Sequence, residues 1–123
     1  MLMSKFVLRT VSSGIKFDLK AANGQIIATS EVYDSKAACV TGIKSVIKNA
    51  VTKKIEDQTA DSYTALTNPK FQIYADKAGQ FRFRLTARNG QIIAISEGYT
   101  SKAACENGIA SIQKNAPEAE IEE

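Results

Sequence analysis

Histidine is absent from this chain of 123 residues. That removes the commonest general base, the commonest metal ligand and the usual activator of a serine or cysteine nucleophile. Cysteine is scarce: Cys39 and Cys105 lie 66 residues apart and form no Cys-x-x-Cys pair. The expectation is reduced thiols in a cytoplasmic protein, not a disulfide framework. No apolar run approaches the roughly 18 residues of a membrane helix, so no membrane partner is expected. The opening Met1-Leu2-Met3-Ser4-Lys5 lacks the apolar stretch of a signal peptide.

What charge there is lies unevenly. Residues 1–56 carry nine Lys/Arg against four Asp/Glu, Asp57 and Asp61 follow, and residues 70–123 carry seven of each sign. Four of those acids, Glu118, Glu120, Glu122 and Glu123, crowd the last six positions. A moderately basic surface with an acidic tail follows, a weaker signal than the clustered bases of a dedicated nucleic-acid binder.

The dominant feature is an internal repeat. Phe17–Ala50 aligns without gaps on Phe83–Ala116, and 23 of the 34 positions are identical. Upstream, Phe6-x-Leu8 matches Phe71-x-Ile73; downstream, Ile55 matches Ile121. The chain reads as one domain built from repeat one (5–57), a polar linker (58–69) and repeat two (70–123). Each unit of about 50 residues is too small to bury a good core alone, so the two should pack as a pseudo-twofold pair.

Within each unit the elements follow from periodicity. Phe6–Arg9 and Phe71–Tyr74 alternate like half-buried strands. Asp76-Lys77-Ala78-Gly79 is turn chemistry, and Ser12-Ser13-Gly14 takes its place in the first copy. Ile15-x-Phe17-x-Leu19-x-Ala21 and Phe81-x-Phe83-x-Leu85-x-Ala87 put apolar side chains on one face of a second strand. Asn23-Gly24 and Asn89-Gly90 predict two-residue type I′ hairpin loops with both residues at positive φ, setting Leu19 opposite Ala28 and Leu85 opposite Ala94. That register also sets Arg82 opposite Glu97, a cross-strand ion pair if the face is exposed. Ser35 and Ser101 are N-caps for helices whose buried faces carry Cys39, Ile43 and Val46, or Cys105, Ile109 and Ile112. Gly42 and Gly108, costly mid-helix, imply close packing on the sheet. Asn49 and Asn115 suit the left-handed residue that ends a helix, with Pro117 reinforcing the second stop. Val51–Asp57 and Ala119–Glu123 read as short terminal strands.

The motif Ala21-x-Asn23-Gly24-Gln25-Ile26-Ile27-Ala28-x-Ser30-Glu31-x-Tyr33-x-Ser35-Lys36, continued by Gly42-Ile43-x-Ser45-Val46-x-Lys48-Asn49 and repeated in the second half, resembles the YegP-like family of small bacterial proteins. The resemblance implies an α+β fold: tandem strand-strand-strand-helix-strand units joined in one antiparallel sheet, helices on one face, C-terminal strands exchanged between units. It implies no activity, cofactor or catalytic residue.

The chemistry of the residues themselves agrees with a protein that is not an enzyme. Cys39 and Cys105 sit at core-facing helical positions, where cysteine acts as a small hydrophobe, and no disulfide between them is expected. Ser35-Lys36 and Ser101-Lys102 are adjacent in a helix and point about 100° apart, which denies them the geometry of a nucleophile–base dyad. Asn-Gly-Gln is a turn and not a phosphate loop. Glu31, Glu97, Tyr33 and Tyr99 are the repeated polar residues with the least obvious duty; pairing with Lys16 or Arg82, and packing at the strand–helix corner, are the expected ones. No catalytic residue, metal site or cofactor is expected. The sheet face opposite the helices should carry Tyr74, Arg82, Arg84, Ile93 and Ile95 in repeat two, and Lys16, Asp18, Lys20, Ile27 and Thr29 in repeat one. The expected function is therefore a non-catalytic cytoplasmic binding module, acting through that face or the sheet edges on a protein or a nucleic acid. The alternative is RNA or single-stranded DNA binding centred on Tyr74, Arg82, Arg84 and Arg88, since aromatic rings stack bases and Lys/Arg hold phosphates. A monomer is expected, because the second repeat replaces a dimer mate.

Overall fold

In the computed structural model, which describes residues 4–122, each repeat contributes four strands and one helix. Repeat one gives β1 (Lys5–Val11), β2 (Gly14–Lys20), β3 (Ile26–Thr29), α1 (Lys36–Asn49) and β4 (Ile55–Asp57). Repeat two gives β5 (Lys70–Ala75), β6 (Phe81–Thr86), β7 (Ile92–Ser96), α2 (Lys102–Asn115) and, after a 3-10 turn over Ala116–Glu118, β8 (Glu120–Glu122). All eight strands form one sheet in the order β4-β5-β6-β7-β3-β2-β1-β8.

The order shows the exchange directly. β4 closes repeat one but pairs with β5 of repeat two, and β8 closes repeat two but pairs with β1 of repeat one. Both exchanged strands run parallel to their partners, so the sheet is mixed: six antiparallel inner strands between two parallel edges. The halves join where β3 meets β7, with Thr29 facing Ile95. Those two positions are equivalents in the repeat alignment, so the pseudo-twofold axis passes between them.

Phe6, Phe17, Leu19, Phe71, Phe83 and Leu85, all at most 1 % exposed, line the inner sheet face beneath the helices. Each helix lies over the second strand of its own repeat and also reaches the third strand of the other. The shared core thus spans both repeats, as two undersized units require. Ser35 and Ser101 cap their helices by accepting from the amides of Ala38 and Ala104, each at 3.1 Å.

Three local expectations are corrected. The hairpins at Asn23-Gly24 and Asn89-Gly90 are not type I′: only the glycines have positive φ, 87° in each. Gly24 N–H closes on Ala21 C=O and Ala21 N–H on Gln25 C=O, a three-residue loop ending in a left-handed glycine. This loop displaces the register by one residue, and a β-bulge between Leu19 and Lys20 restores it, so Leu19 still faces Ala28 and Leu85 still faces Ala94. The bulge has a second effect. It turns Ile27 and Ile93 inward beside Ala28 and Ala94, and both are core residues at 5 % exposure, not members of the open face. Finally, Asn49 and Asn115 are right-handed, since no non-glycine residue among those described has positive φ. Each instead ends its helix by donating from Nδ2 to the backbone carbonyl of Ser45 or Ser111, at 2.9 Å.

Candidate functional site

The repeated tyrosines have a structural duty. Tyr33 stacks on Phe17 and Tyr99 on Phe83, with ring centroids 6.3 and 6.4 Å apart. Their hydroxyls press into the helices at the mid-helix glycines: a Cβ at Gly42 would stand 2.2 Å from Tyr33 Oη, and one at Gly108 2.5 Å from Tyr99 Oη. The glycines therefore admit a ring that locks the strand–helix corner onto the core. Burial raises both phenol pKa values, with the neighbouring cysteine and glutamate adding to it. The two cysteines are free and buried, and burial likewise raises both thiols. Glu31 and Glu97 are exposed.

On the open face of repeat two, the half-buried Tyr74, Arg82 and Arg84 come together. Arg82 shares the open face with Arg84 but does not pair with Glu97: its Nε donates to Asp76 Oδ2 at 2.8 Å and its Nη1 to the Ser96 carbonyl at 3.1 Å. The cause is the turn before β6, where Asp76 is already oriented by accepting from the amides of Ala78 and Gln80. Arg82 and then these amides hold the Asp76 carboxyl below its usual range. Arg84 donates from Nε to Gln72 Oε1, and its guanidinium lies 4.5 Å over the centre of the Tyr74 ring. The result is a flat plate of aromatic and guanidinium surface beside Ile95. In repeat one the same face is held by Asp18, which accepts from Arg9 Nε and Thr29 Oγ1, each at 2.8 Å.

Arg88 does not join this group. It sits in the β6–β7 hairpin and borders a groove of about 400 Å³ against α1, together with Lys44, Ser45, Lys48 and Asn49. The hairpin curls toward the helix layer, which separates Arg88 from the strand positions of Arg82 and Arg84. The repeat alignment marks Lys44 and Arg88 as positions that differ: the second repeat has Ala110 where the first has Lys44, and Ala22 stands where the second has Arg88.

No motif or periodicity points to the buried ion pair at the β4–β5 edge. Glu56 and Lys70 form a salt bridge with side chains only 2 % and 10 % exposed. The linker covers them: Leu66 N–H donates to Glu56 Oε2 and Lys70 Nζ donates to Leu66 C=O, both at 2.7 Å. Burial pushes the Glu56 pKa up, but hydrogen bonds from Lys70, Gln58, Leu66 and Gln72 outweigh it and lower the pKa to about 2. Asp57, next in the chain, receives Lys102 Nζ of α2 at 2.8 Å and so ties the exchanged strand to the other repeat's helix. No group of three or more metal-ligating side chains occurs among the described residues, and no described helix is long and apolar enough to cross a membrane.

Comparison with known proteins identifies the repeat. A family model described as a domain of unknown function (DUF1508) matches twice, over residues 12–57 and 76–123. A UPF0339 protein of Bordetella pertussis is 41% identical over 112 residues, covering 91% of this chain and 87% of that one. A UPF0339 protein of Treponema denticola is 57% identical over 54 residues, which are 44% of this chain but 93% of the relative, so a single repeat accounts for nearly all of it. The solution NMR structure of yegP from E. coli, a protein of unknown function, superposes with a TM-score of 0.80 at 31% identity, covering 99% of this chain and 93% of that one. The chain accordingly belongs to the DUF1508 family, as a two-repeat, YegP-like member.

Proposed function

We propose that this protein is a non-catalytic cytoplasmic binding module, a monomer that meets a protein partner with the open sheet face around Tyr74 and Arg84. One observation carries the reading: the Arg84 guanidinium is stacked on Tyr74 and fixed by Gln72, on a sheet face that neither helix covers. Tyrosine and arginine are the residues that anchor protein interfaces, and anchors held in place before contact lose less entropy on binding. Pairing of both exchanged strands within one chain supports the monomer, and two free buried thiols fit a reducing compartment.

A photo-crosslinking residue in place of Tyr74 tests this in the source cell, with Glu106 on the exposed side of α2 as control position. The expected outcome is a discrete adduct from position 74 alone, resistant to nuclease. Equal adducts from both positions, or none from position 74, would refute the proposal.

A single strand of RNA or DNA on the same face is the second reading. Its support is the outer surface of the stacked guanidinium, on which a base could lie. Against it, Arg82 and Arg84 spend donors on Asp76, Ser96 and Gln72, and Arg88 lies on the other side. An adduct from position 74 that collapses under nuclease would establish it in place of the first.

A further inference from the structure

The pseudo-twofold places a groove on each side, between the helix of one repeat and the second hairpin of the other, and the two grooves are lined differently. One lies between α1 and the β6–β7 hairpin, the other between α2 and the β2–β3 hairpin. Equivalent positions can therefore be compared within a single molecule. The α1 groove carries Lys44, Lys48 and Arg88, all exposed, and no acidic residue lines it. The repeat equivalents of these three residues are Ala110, Lys114 and Ala22, and none of them lines the α2 groove. Two of three cations are thus specific to one copy, in a stretch where the repeats are otherwise mostly identical.

Lys48, like Lys114, sits in the last turn of its helix, where a cation favours the helix dipole, whereas Lys44 and Arg88 have no such place in the fold. Among the described residues, the Lys5, Arg9, Lys70, Arg82 and Lys102 side chains each pair with a carboxylate. Among the described residues, Lys44, Lys48 and Arg88 make no ion pair and no side-chain hydrogen bond. Lys44 and Lys48 stand four residues apart on one helical face, a like-charge spacing that disfavours the helix unless an anion lies between them. Four residues correspond to a rise of about 6 Å, so the two ammoniums span more than one phosphate, with Arg88 completing the opposite wall. Arginine offers a forked, bidentate grip on phosphate oxygens, and lysine a point charge beside it.

We propose that the α1–hairpin groove binds an oligophosphate: a run of successive phosphate groups, either free or as the backbone of a single nucleic-acid strand. The site lies on the helix side of the sheet and is independent of the partner surface around Tyr74.

The test is a titration of isotope-labelled protein, followed by amide NMR at low ionic strength, with two probes in separate arms: sodium tripolyphosphate and a mixed-sequence single-stranded DNA oligonucleotide. Expected shifts map to Lys44–Asn49 and Ala87–Asn89. Lys44→Ala/Arg88→Ala puts at two exposed positions the residues of the equivalent repeat positions and so should fold normally. It should weaken binding about tenfold or more and, for the strand, lower the salt slope by roughly 1.4, about 0.7 for each cation removed. Ala22→Arg/Ala110→Lys should raise the stoichiometry to two. Response to tripolyphosphate alone assigns a free oligophosphate, and response to the strand, with or without tripolyphosphate, assigns a nucleic-acid backbone. No response to either probe, shifts elsewhere, or unchanged affinity in the folded Lys44→Ala/Arg88→Ala protein overturns the proposal.

Discussion

The duplicated chain contains one ion pair in two environments. Glu56–Lys70 and Glu122–Lys5 occupy equivalent positions, joining an exchanged edge strand to the first strand of the other repeat. The first pair lies under the linker and is nearly fully buried, whereas Glu122 and Lys5 are 55 % and 45 % exposed and 3.5 Å apart. Glu56→Gln strands a buried ammonium. Removing one member of a buried pair costs about 3–5 kcal/mol, and the lower end applies because Lys70 keeps the Leu66 carbonyl. Glu122→Gln should cost about 0.5 kcal/mol or less, the worth of a solvated pair. At about 3–5 °C per kcal/mol for a chain of this size, Glu56→Gln should lower Tm by roughly 10 °C and Glu122→Gln by roughly 2 °C. Urea and calorimetric unfolding at neutral pH measure both. The pH dependence gives a second check. Glu56 titrates near 2 in the folded protein against 4.5 as its ordinary value, so its contribution is present above 4.5 and lost as pH falls toward 2. The gap between wild type and Glu56→Gln should therefore close over that interval. Equal losses from the two substitutions, or a gap that persists to pH 2, would refute the role given to the linker in burying the pair.

Other consequences are equally direct. Gly42→Ala should destabilise by about 1–3 kcal/mol through overpacking against Tyr33, where an exposed helical position would gain about 1 kcal/mol; urea unfolding decides the sign. Tyr33→Ala in the same chain should reverse the effect of Gly42→Ala, making alanine the better residue there. Cys39 and Cys105, fully buried and with the Cys105 thiol pushed up to about 11, should resist Ellman's reagent in the native protein. Both should react once guanidinium unfolds the chain, and rapid native labelling would show that the helix–sheet interface opens. Ile121→Asp should lower Tm more than Glu122→Gln, because Ile121 packs against the core through β8 while Glu122 reaches solvent.

The fold was legible because the repeat wrote each element twice. Phe17 and Phe83, Ser35 and Ser101, Gly42 and Gly108 each carried the same local logic, so one reading checked the other. Turn geometry was less legible. Asn23-Gly24 satisfies both a two-residue loop and a three-residue loop ending at glycine, and a bulge downstream makes the two indistinguishable in register beyond Leu19. Strict alternation then fails at the bulge, which is why Ile27 and Ile93 turn inward. The surface around Tyr74 and Arg84 could be found from alternation alone, because a strand sends every second side chain to the same face. Arg88 lies beyond the last residue of β6, where alternation no longer applies, and its neighbours Lys44 and Lys48 come from a distant helix in the other repeat.

Differences between the copies therefore inform where identities do not. Residues identical in both repeats, such as Tyr33 and Tyr99 or Cys39 and Cys105, serve the core that each half needs, and their roles are satisfied by packing. The pseudo-twofold scaffold accepts either alanine or lysine at this helix position, since both occur in the same chain, at Ala110 and Lys44. The same comparison separates the linker's effect on Glu56 from the effect of the ion pair itself, because Glu122 has the pair without the cover. Binding to one groove and not its twin would mark the step at which the duplicated chain ceased to be two copies of one unit.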